Sequence, residues 1–246
     1  MGYHESLTEG RNAVLEAFRS GKTVDRLFVL DGCQDGPVKT ILREAKKQDT
    51  MVQYVNKERL DQLSETKNHQ GVIAYCAACE YAEVSDILEN AKKKGEAPFI
   101  VLLDGIEDPH NLGAIIRTAN QAGAHGVIIP KRRAVGLTAT VARTSAGAVN
   151  YTPVAKVTNL VTVMEDLKKE GMWFVCADMD GEEMYSLNLK GPIGLVIGNE
   201  GEGVSRLVKE HCDMVASIPM KGDIDSLNAS VAMGVLAYEI VRQRRF

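Results

Sequence analysis

Ile193-Gly194-Leu195-Val196-Ile197-Gly198-Asn199-Glu200-Gly201-Glu202-Gly203 joins an unbroken apolar run to a glycine-rich loop. A run without polar alternation predicts a strand buried on both faces, the pattern of a parallel sheet covered by helices. Three further runs have the same character: Phe99–Leu103, Gly126–Ile129 and Trp173–Ala177. Ala216-Ser217-Ile218 is a shorter one. In such sheets ligands sit beyond the carboxyl ends of the strands, which directs attention to the segments after Leu103, Ile197 and Ile218.

The loop after Ile197 has the spacing G-x-x-G-x-G, which is neither the dinucleotide fingerprint G-x-G-x-x-G nor a phosphate loop ending in Gly-Lys-Ser/Thr. Its glycines allow close backbone approach to a ligand. Glu200 and Glu202 would repel a pyrophosphate, so the expected ligand is cationic or zwitterionic, and a nicotinamide-dependent oxidoreductase is disfavoured. The segment after Leu103, Asp104 to Gly113, is a turn-forming stretch leading to Arg117. Asn111 is positioned to cap the following helix, with His110 as a loop hydrogen-bonder. Taken alone, Arg117 reads either as a functional cation or as a surface ion-pair partner. The third segment runs Ile218-Pro219-Met220, then Asp225-Ser226-Leu227-Asn228-Ala229-Ser230, and opens a helix through Ile240. Capping explains one of its small polar residues, not three.

Upstream, residues 8–20 read as an amphipathic helix, Arg26–Leu30 as a strand, Val38–Lys47 as a helix, and Met51–Val55 and Gly71–Cys76 as strands. This is a small α/β unit over residues 1–77. Residues 78–97 are polar and read as a partly helical linker, and residues 98–246 form the main domain.

Composition agrees with a globular protein: 246 residues, 45% hydrophobic and 25% charged. No apolar run approaches the roughly 20 residues needed to span a membrane. Met1–Gly10 lacks the basic start and apolar core of a secretory leader. Five scattered cysteines suit a reducing cytoplasm. The net charge of −4 excludes a generally basic nucleic-acid binder, so contact with RNA must rest on local patches. Candidates are Lys92–Lys94, Lys131–Arg133, and Arg242, Arg244 and Arg245; each is equally readable as a solvated face. The histidines (His4, His69, His110, His125, His211) show no ligand spacing, and Cys76-x-x-Cys79 lacks a second pair, so it reads as structural and no metal is expected.

Together N-L-G-x-x-x-R (Asn111–Arg117), I-G-N-E-G-x-G (Ile197–Gly203) and I-P-M…S-L-N-x-S-x-A (Ile218–Ala232) resemble the SpoU (TrmH) family of RNA ribose methyltransferases, within the SPOUT superfamily. The resemblance implies an α/β catalytic domain with a mainly parallel sheet and a carboxy-terminal trefoil knot. It also implies homodimers with the active site completed near the dimer interface, and S-adenosyl-L-methionine as cofactor. Arg117, Asn111, Glu200, Ser226 and Asn228 fall on its catalytic and site-shaping positions. The family's cofactor pocket maps to Gly198, Ile218, Met220 and Leu227, with Thr144 to Gly147 similar to the bordering loop. Arg117 is implied in activating the ribose 2′-hydroxyl, as a base or as an electrostatic stabiliser; guanidinium's persistent protonation weighs against the base. The amino-terminal unit is similar to the L30e-like RNA-binding domain of the family, with Arg11, Lys67, Asn68, His69 and Gln70 as candidate contacts. Lys67–Gln70 read equally as a solvated turn. The two-domain layout resembles bacterial enzymes that methylate a guanosine in 23S ribosomal RNA. A tRNA ribose methyltransferase and a non-catalytic RNA-binding protein are the alternatives, and the latter leaves the three strand-end segments idle.

Overall fold

A computed structural model describes residues 6–224 and 226–246. His4 and Asp225 lie outside the described residues. The chain divides into two compact units, one comprising residues up to Glu80 with Gly136–Ala139, the other the remainder from Tyr81.

The first unit runs β1 (Ser6–Glu9), α1 (Arg11–Arg19), β2 (Val24–Leu30), α2 (Gly36–Lys47), β3 (Met51–Val55), α3 (Lys57–Leu63) and β4 (Val72–Cys76). Its sheet order is β1-β4-β2-β3; β2–β3 is parallel and the other pairs are antiparallel. Alternation along β2 serves both faces. Leu27 and Val29 join Val14, Phe18, Val38, Ile41 and Ala45 on one side, while Phe28 packs with Leu60 and Ile73 on the other. Neither β1 nor α3 is legible in the sequence. β1 is four residues long, and α3 buries only Leu60 within its helix. The capping Asn56 side chain, accepting from the Arg59 N–H at 3.0 Å, was the available signal for α3.

The second unit begins inside the stretch that reads as a linker. Residues 78–97 contain α4 (Val84–Lys94), which buries Ile87 and Ala91. Ile87 enters the same core cluster as Ile100, Leu102 and Ile128. One apolar stripe at i, i+4 suffices to dock a helix whose other residues are polar, and composition averages it away. Then follow β5 (Phe99–Asp104), α5 (Pro109–Gln121), β6 (Gly126–Pro130), α6 (Ala139–Thr144), β7 (Val154–Val157), α7 (Leu160–Lys169), β8 (Trp173–Glu183), β9 (Ile193–Gly198), α8 (Arg206–Glu210), β10 (Met214–Ser217) and α9 (Ala229–Arg245). The six strands are parallel, in the order β10-β8-β9-β5-β6-β7. The expected α/β fold with a mainly parallel sheet is observed. Central β9 is buried throughout, as its apolar run requires. The edge strand β7 is missed in the sequence because it is short. β10 starts two residues before Ala216 and leaves Ile218 outside the strand.

The carboxy-terminal arginines do not form one basic patch. Arg244 donates to the carbonyls of Ala97 (3.0 Å), Pro98 (2.8 Å) and Gly191, and its guanidinium lies 5.4 Å from the Phe99 ring centre. Burial lowers its pKa. Beside it, Gln243 accepts from the Leu189 N–H at 2.8 Å and donates to the Leu187 carbonyl at 3.0 Å. The end of α9 is thus tied to the strap that precedes β9. His125, fully buried, accepts from the Phe99 N–H through Nδ1 (3.0 Å), so Nε2 carries the proton toward Glu96, 3.1 Å away.

Candidate functional site

The loop after β9 is built by backbone proximity. A Cβ on Gly198 would fall 2.0 Å from the carbonyl carbon of Gly203, so the chain can double back here only without a side chain. The Asn199 side chain accepts from the N–H groups of Gly201 (2.9 Å) and Glu202 (2.7 Å), and Asp104 at the end of β5 accepts from the Ser205 N–H at 2.8 Å. Those bonds fix where the Glu200 carboxylate is presented.

Asn111 does not cap α5. The cap is Asp108, whose carboxylate accepts from the His110 N–H at 2.9 Å, with Pro109 in the first turn. Aspartate immediately before proline at a helix start carried that signal. His110 is exposed in that first turn. Asn111, 9% exposed, is released for another task. Its Nδ2 donates to Glu200 Oε1, and its Oδ1 accepts from Asn228 Nδ2 at 3.0 Å. Asn228 Oδ1 then caps α9, accepting from the Ser230 N–H (3.0 Å) and Oγ–H (2.6 Å). Because an ionised carboxylate only accepts, the donors run in one direction, from Ser230 through Asn228 and Asn111 to Glu200. Three segments separated by 89 and 117 residues meet in one hydrogen-bonded chain.

Thr144 packs against α5 at Gly113. A Cβ on Gly113 would come within 2.6 Å of Thr144 Cβ and 3.0 Å of the Ser145 N and the Val141 carbonyl. Glycine at 113 is therefore what lets the Thr144–Ser145 turn lie on the helix. Ile218 is half-buried, whereas Met220 (39% exposed), Ser226 and Leu227 (36%) present themselves to solvent on the segment between β10 and α9.

Arg117 stands apart. It is exposed, and six residues beyond Asn111 at about 100° per residue place it on another face of α5. Among the described residues it has no ion-pair partner.

In the first unit, Glu9 organises the loop before β4. Its carboxylate accepts from Ser64 Oγ, the Glu65 N–H (2.7 Å), the Thr66 N–H (3.2 Å) and Thr66 Oγ1 (2.8 Å). Burial works to raise its pKa, but the Ser64 and Thr66 hydroxyls and the backbone N–H donors outweigh it and lower it. Beyond the anchor, Lys67 and Gln70 take left-handed backbone (φ 59° and 50°), with Lys67, Asn68 and Gln70 exposed. Arg11 lies alongside: its Nε donates to the Gln70 carbonyl (3.0 Å) and its Nη2 pairs with Asp35 (2.5 Å). Arg11, Gln70, Leu30, Cys33 and Gly71 line a cavity of about 360 Å³. His69 points inward instead. It is buried, accepts from the Gly71 N–H through Nδ1 (3.0 Å), and holds Nε2 3.0 Å from Asp61, so it braces the loop rather than offering a contact.

Among the described residues no group of His, Cys, Asp or Glu is placed to hold a metal ion. Cys76 is buried on β4, and burial pushes the Cys79 thiol up. Ser230, one of the three small polar residues of the third segment, bonds Asn228 as a helix-start group should, whereas Asp104 and Asp108 lie in the first segment with roles its spacing does not indicate, each being a single short polar residue at an element boundary.

Residues 98–238 match the SpoU rRNA Methylase family, and residues 7–82 match the RNA 2'-O ribose methyltransferase substrate binding family. A Bacillus subtilis (strain 168) protein assigned to the TrmH family of tRNA/rRNA methyltransferases is 49% identical over 237 residues, 96% of this chain and 94% of the relative. The AdoMet-bound rRNA methyltransferase from Sinorhizobium meliloti aligns with a TM-score of 0.60 at 26% identity, over 96% of this chain and 86% of that one. The A. aeolicus TrmH/SpoU tRNA modifying enzyme aligns with a TM-score of 0.56 at 28% identity, over 65% of this chain and 84% of its own. With both units matched and the three polar segments converging on Asn111, the chain belongs to the SpoU methylase family.

Proposed function

We propose that this protein transfers a methyl group from S-adenosyl-L-methionine to a ribose 2′-hydroxyl of structured RNA in the cytoplasm, the target being a guanosine of 23S ribosomal RNA. The observation that carries the reading is the directional chain Ser230–Asn228–Asn111–Glu200, which gathers the three polar segments into one place. The ribosomal target draws support from the rRNA methyltransferase that aligns with 96% of this chain, whereas the tRNA-modifying neighbour aligns with 65%. The guanosine rests on the two-unit layout. A tRNA target is the second reading, favoured by the tRNA/rRNA assignment of the Bacillus relative. Free thiols at all five cysteines support the cytoplasmic setting, which reducing conditions would maintain.

The donor set fits the cofactor. A close-packed glycine backbone at Gly198, exposed apolar side chains at Met220 and Leu227, half-buried Ile218, and Thr144 over α5 would hold an adenosine without needing charged partners. When bound, S-adenosyl-L-methionine supplies an already electrophilic methyl group. The chain's own work is then to place the attacking oxygen and manage its proton. Asn111 and Asn228 hold the Glu200 loop in one orientation, and Ser226 lies beside them in sequence at the head of α9. Arg117 stabilises the developing alkoxide or holds the neighbouring phosphate.

Arg117 lies on a different face of α5 from Asn111, which supports a homodimer in which a second copy supplies it. The exposed Val231 and Tyr238 on α9 offer an apolar surface for that pairing. The ties from Gln243 and Arg244 to residues 187–191 support the family's carboxy-terminal trefoil knot.

The test is transfer of labelled methyl to ribosomal and transfer RNA in parallel, followed by nucleoside mass spectrometry. The expected product is 2′-O-methylguanosine in a 23S fragment. Label on a base, or on tRNA alone, overturns the respective half of the proposal.

A further inference from the structure

Four arginines of the second unit, Arg117, Arg132, Arg133 and Arg143, are exposed, and among the described residues none of them has a carboxylate partner. Among the described residues Arg11, Arg43, Arg206 and Arg242 each pair with a carboxylate, and Arg19, Arg26, Arg59 and Arg245 do not, so what sets these four apart is that they are carried on segments brought together. Backbone bonds gather the segments that carry these four. The loop after β6 is fixed at both ends: the Lys131 N–H donates to the Val157 carbonyl (2.8 Å), and the Val135 N–H donates to the Ile106 carbonyl (3.0 Å). The second bond lays Arg132 and Arg133 alongside the turn that leads into α5. Gly113 sets the Thr144 turn directly on α5, which places Arg143 beside that helix as well.

The presentation is rigid. Ala134 and Val135 on one side, and Val141 and Ala142 on the other, are buried, so each arginine projects from an anchored base. Arg133 itself adopts left-handed backbone (φ 53°), a conformation that a residue with a Cβ keeps only where its surroundings enforce it. Among the described residues Arg143 makes only a local bond to Thr140 Oγ1, at 3.2 Å. Planar guanidinium groups held outward, without a carboxylate, match phosphate oxygens bidentately. An acidic protein also needs such a local field if a polyanion is to approach it.

We propose that Arg132, Arg133 and Arg143 form a phosphate-binding ridge on the methylase unit that grips the backbone of the substrate RNA strand beside the Asn111 site. This rests on the RNA-methylation reading above, and assigns to the second unit a share of RNA binding that is independent of the substrate-binding unit.

The test compares Arg132→Gln/Arg133→Gln/Arg143→Gln with Lys92→Gln/Lys93→Gln/Lys94→Gln, which removes the same charge from α4. The affinity of the full-length protein for a 23S rRNA fragment is measured by filter binding from low to high salt, with calorimetry for S-adenosyl-L-methionine on both variants. The ridge variant is expected to bind RNA ~10-fold more weakly at low salt, with a log–log salt slope shallower by about 2, or roughly 0.7 per lost phosphate contact. Its cofactor affinity stays at the wild-type value, which also reports that the unit is folded. The α4 variant keeps the wild-type slope. An unchanged slope in the ridge variant, or an equal loss in the α4 variant, overturns the ridge. Loss of cofactor binding in the triple variant moves the same comparison to the single variants, where an unchanged slope at all three positions also overturns it. Because binding is read without turnover, a wild-type protein that binds RNA but does not methylate it sinks the activity reading and leaves the ridge standing.

Discussion

Two carboxylates organise the two units, and they do so in opposite ways. Glu9 sits at the surface and gathers four donors from one short loop, residues 64–66. Glu200 takes a donor from Asn111, which is buried and itself bridges to Asn228 at the head of α9. The first network pre-shapes a loop within one supersecondary unit, whereas the second staples together segments about a hundred residues apart. A local network can be lost while the domain around it survives. A long-range one carries both the site and part of the packing, since its members are left unpaired inside the protein when one is removed.

The harshest way to break the contrast is Asn111→Ala. It strands Glu200 and Asn228, and methylation is expected to fall by about 10²–10³-fold. Stability should fall by about 1–3 kcal/mol, seen as a lower Tm by calorimetry. Full activity with an unchanged Tm would remove the staple from the account.

Arg117→Lys separates chemistry from folding. Turnover on RNA should drop by at least ~10²-fold, with no change in Tm or cofactor affinity, because the planar fork is lost and the exposed position is not. Unfolding and refolding this variant together with Asn111→Ala should recover about a quarter of wild-type activity, since random pairing gives half heterodimers with one intact site each. No recovery would place Arg117 in the same subunit's site.

Glu9→Gln probes the local network. The KM for RNA should rise a few-fold while cofactor affinity and Tm hold nearly constant, as one charge-assisted cluster on the surface is weakened. The sign with pH follows from its lowered pKa. The ordering it contributes is complete above the unfolded carboxylate range and is lost as pH falls through the lower folded value. RNA binding by the wild type should therefore weaken at acid pH before Glu9→Gln does, measured at constant salt.

The smallest effect concerns His125. Burial, with Lys94 nearby, holds its pKa below the usual value against the opposing pull of Glu96. Unfolding restores the higher value, so its contribution is whole above about pH 6.5 and declines as pH drops below that. A melting series from pH 8 to 5 should show a shallow loss that His125→Gln reduces; identical slopes would mean that other groups govern it.

Particular residues show what sequence reading reaches. The unbroken run Ile193–Ile197 announced its buried strand because burial on both faces leaves a direct mark on composition. The partly helical stretch at 78–97 reads as a linker, yet Ile87 and Ala91 bury α4 in the second unit, since two apolar positions among lysines and glutamates are drowned in any window average. Asn111 reads as the cap of α5, yet Asp108 takes that bond, because both residues are good caps and only the actual turn tells which one starts the helix. His69 and Arg244 looked like surface polar residues and proved to be internal braces.

By itself the sequence determined where the long buried strands of the main sheet run, which loops are rich in glycine, and that three polar motifs recur in a known order. Those properties are local, written in the period of apolar residues and in the backbone freedom of glycine. Only the tertiary structure decided which polar atoms face one another. It joined Asn111 to Glu200 and Asn228, kept Arg117 apart on α5, and turned Arg244 inward. Hydrogen bonds between distant segments depend on the packing that delivers them, and no one-dimensional spacing encodes that.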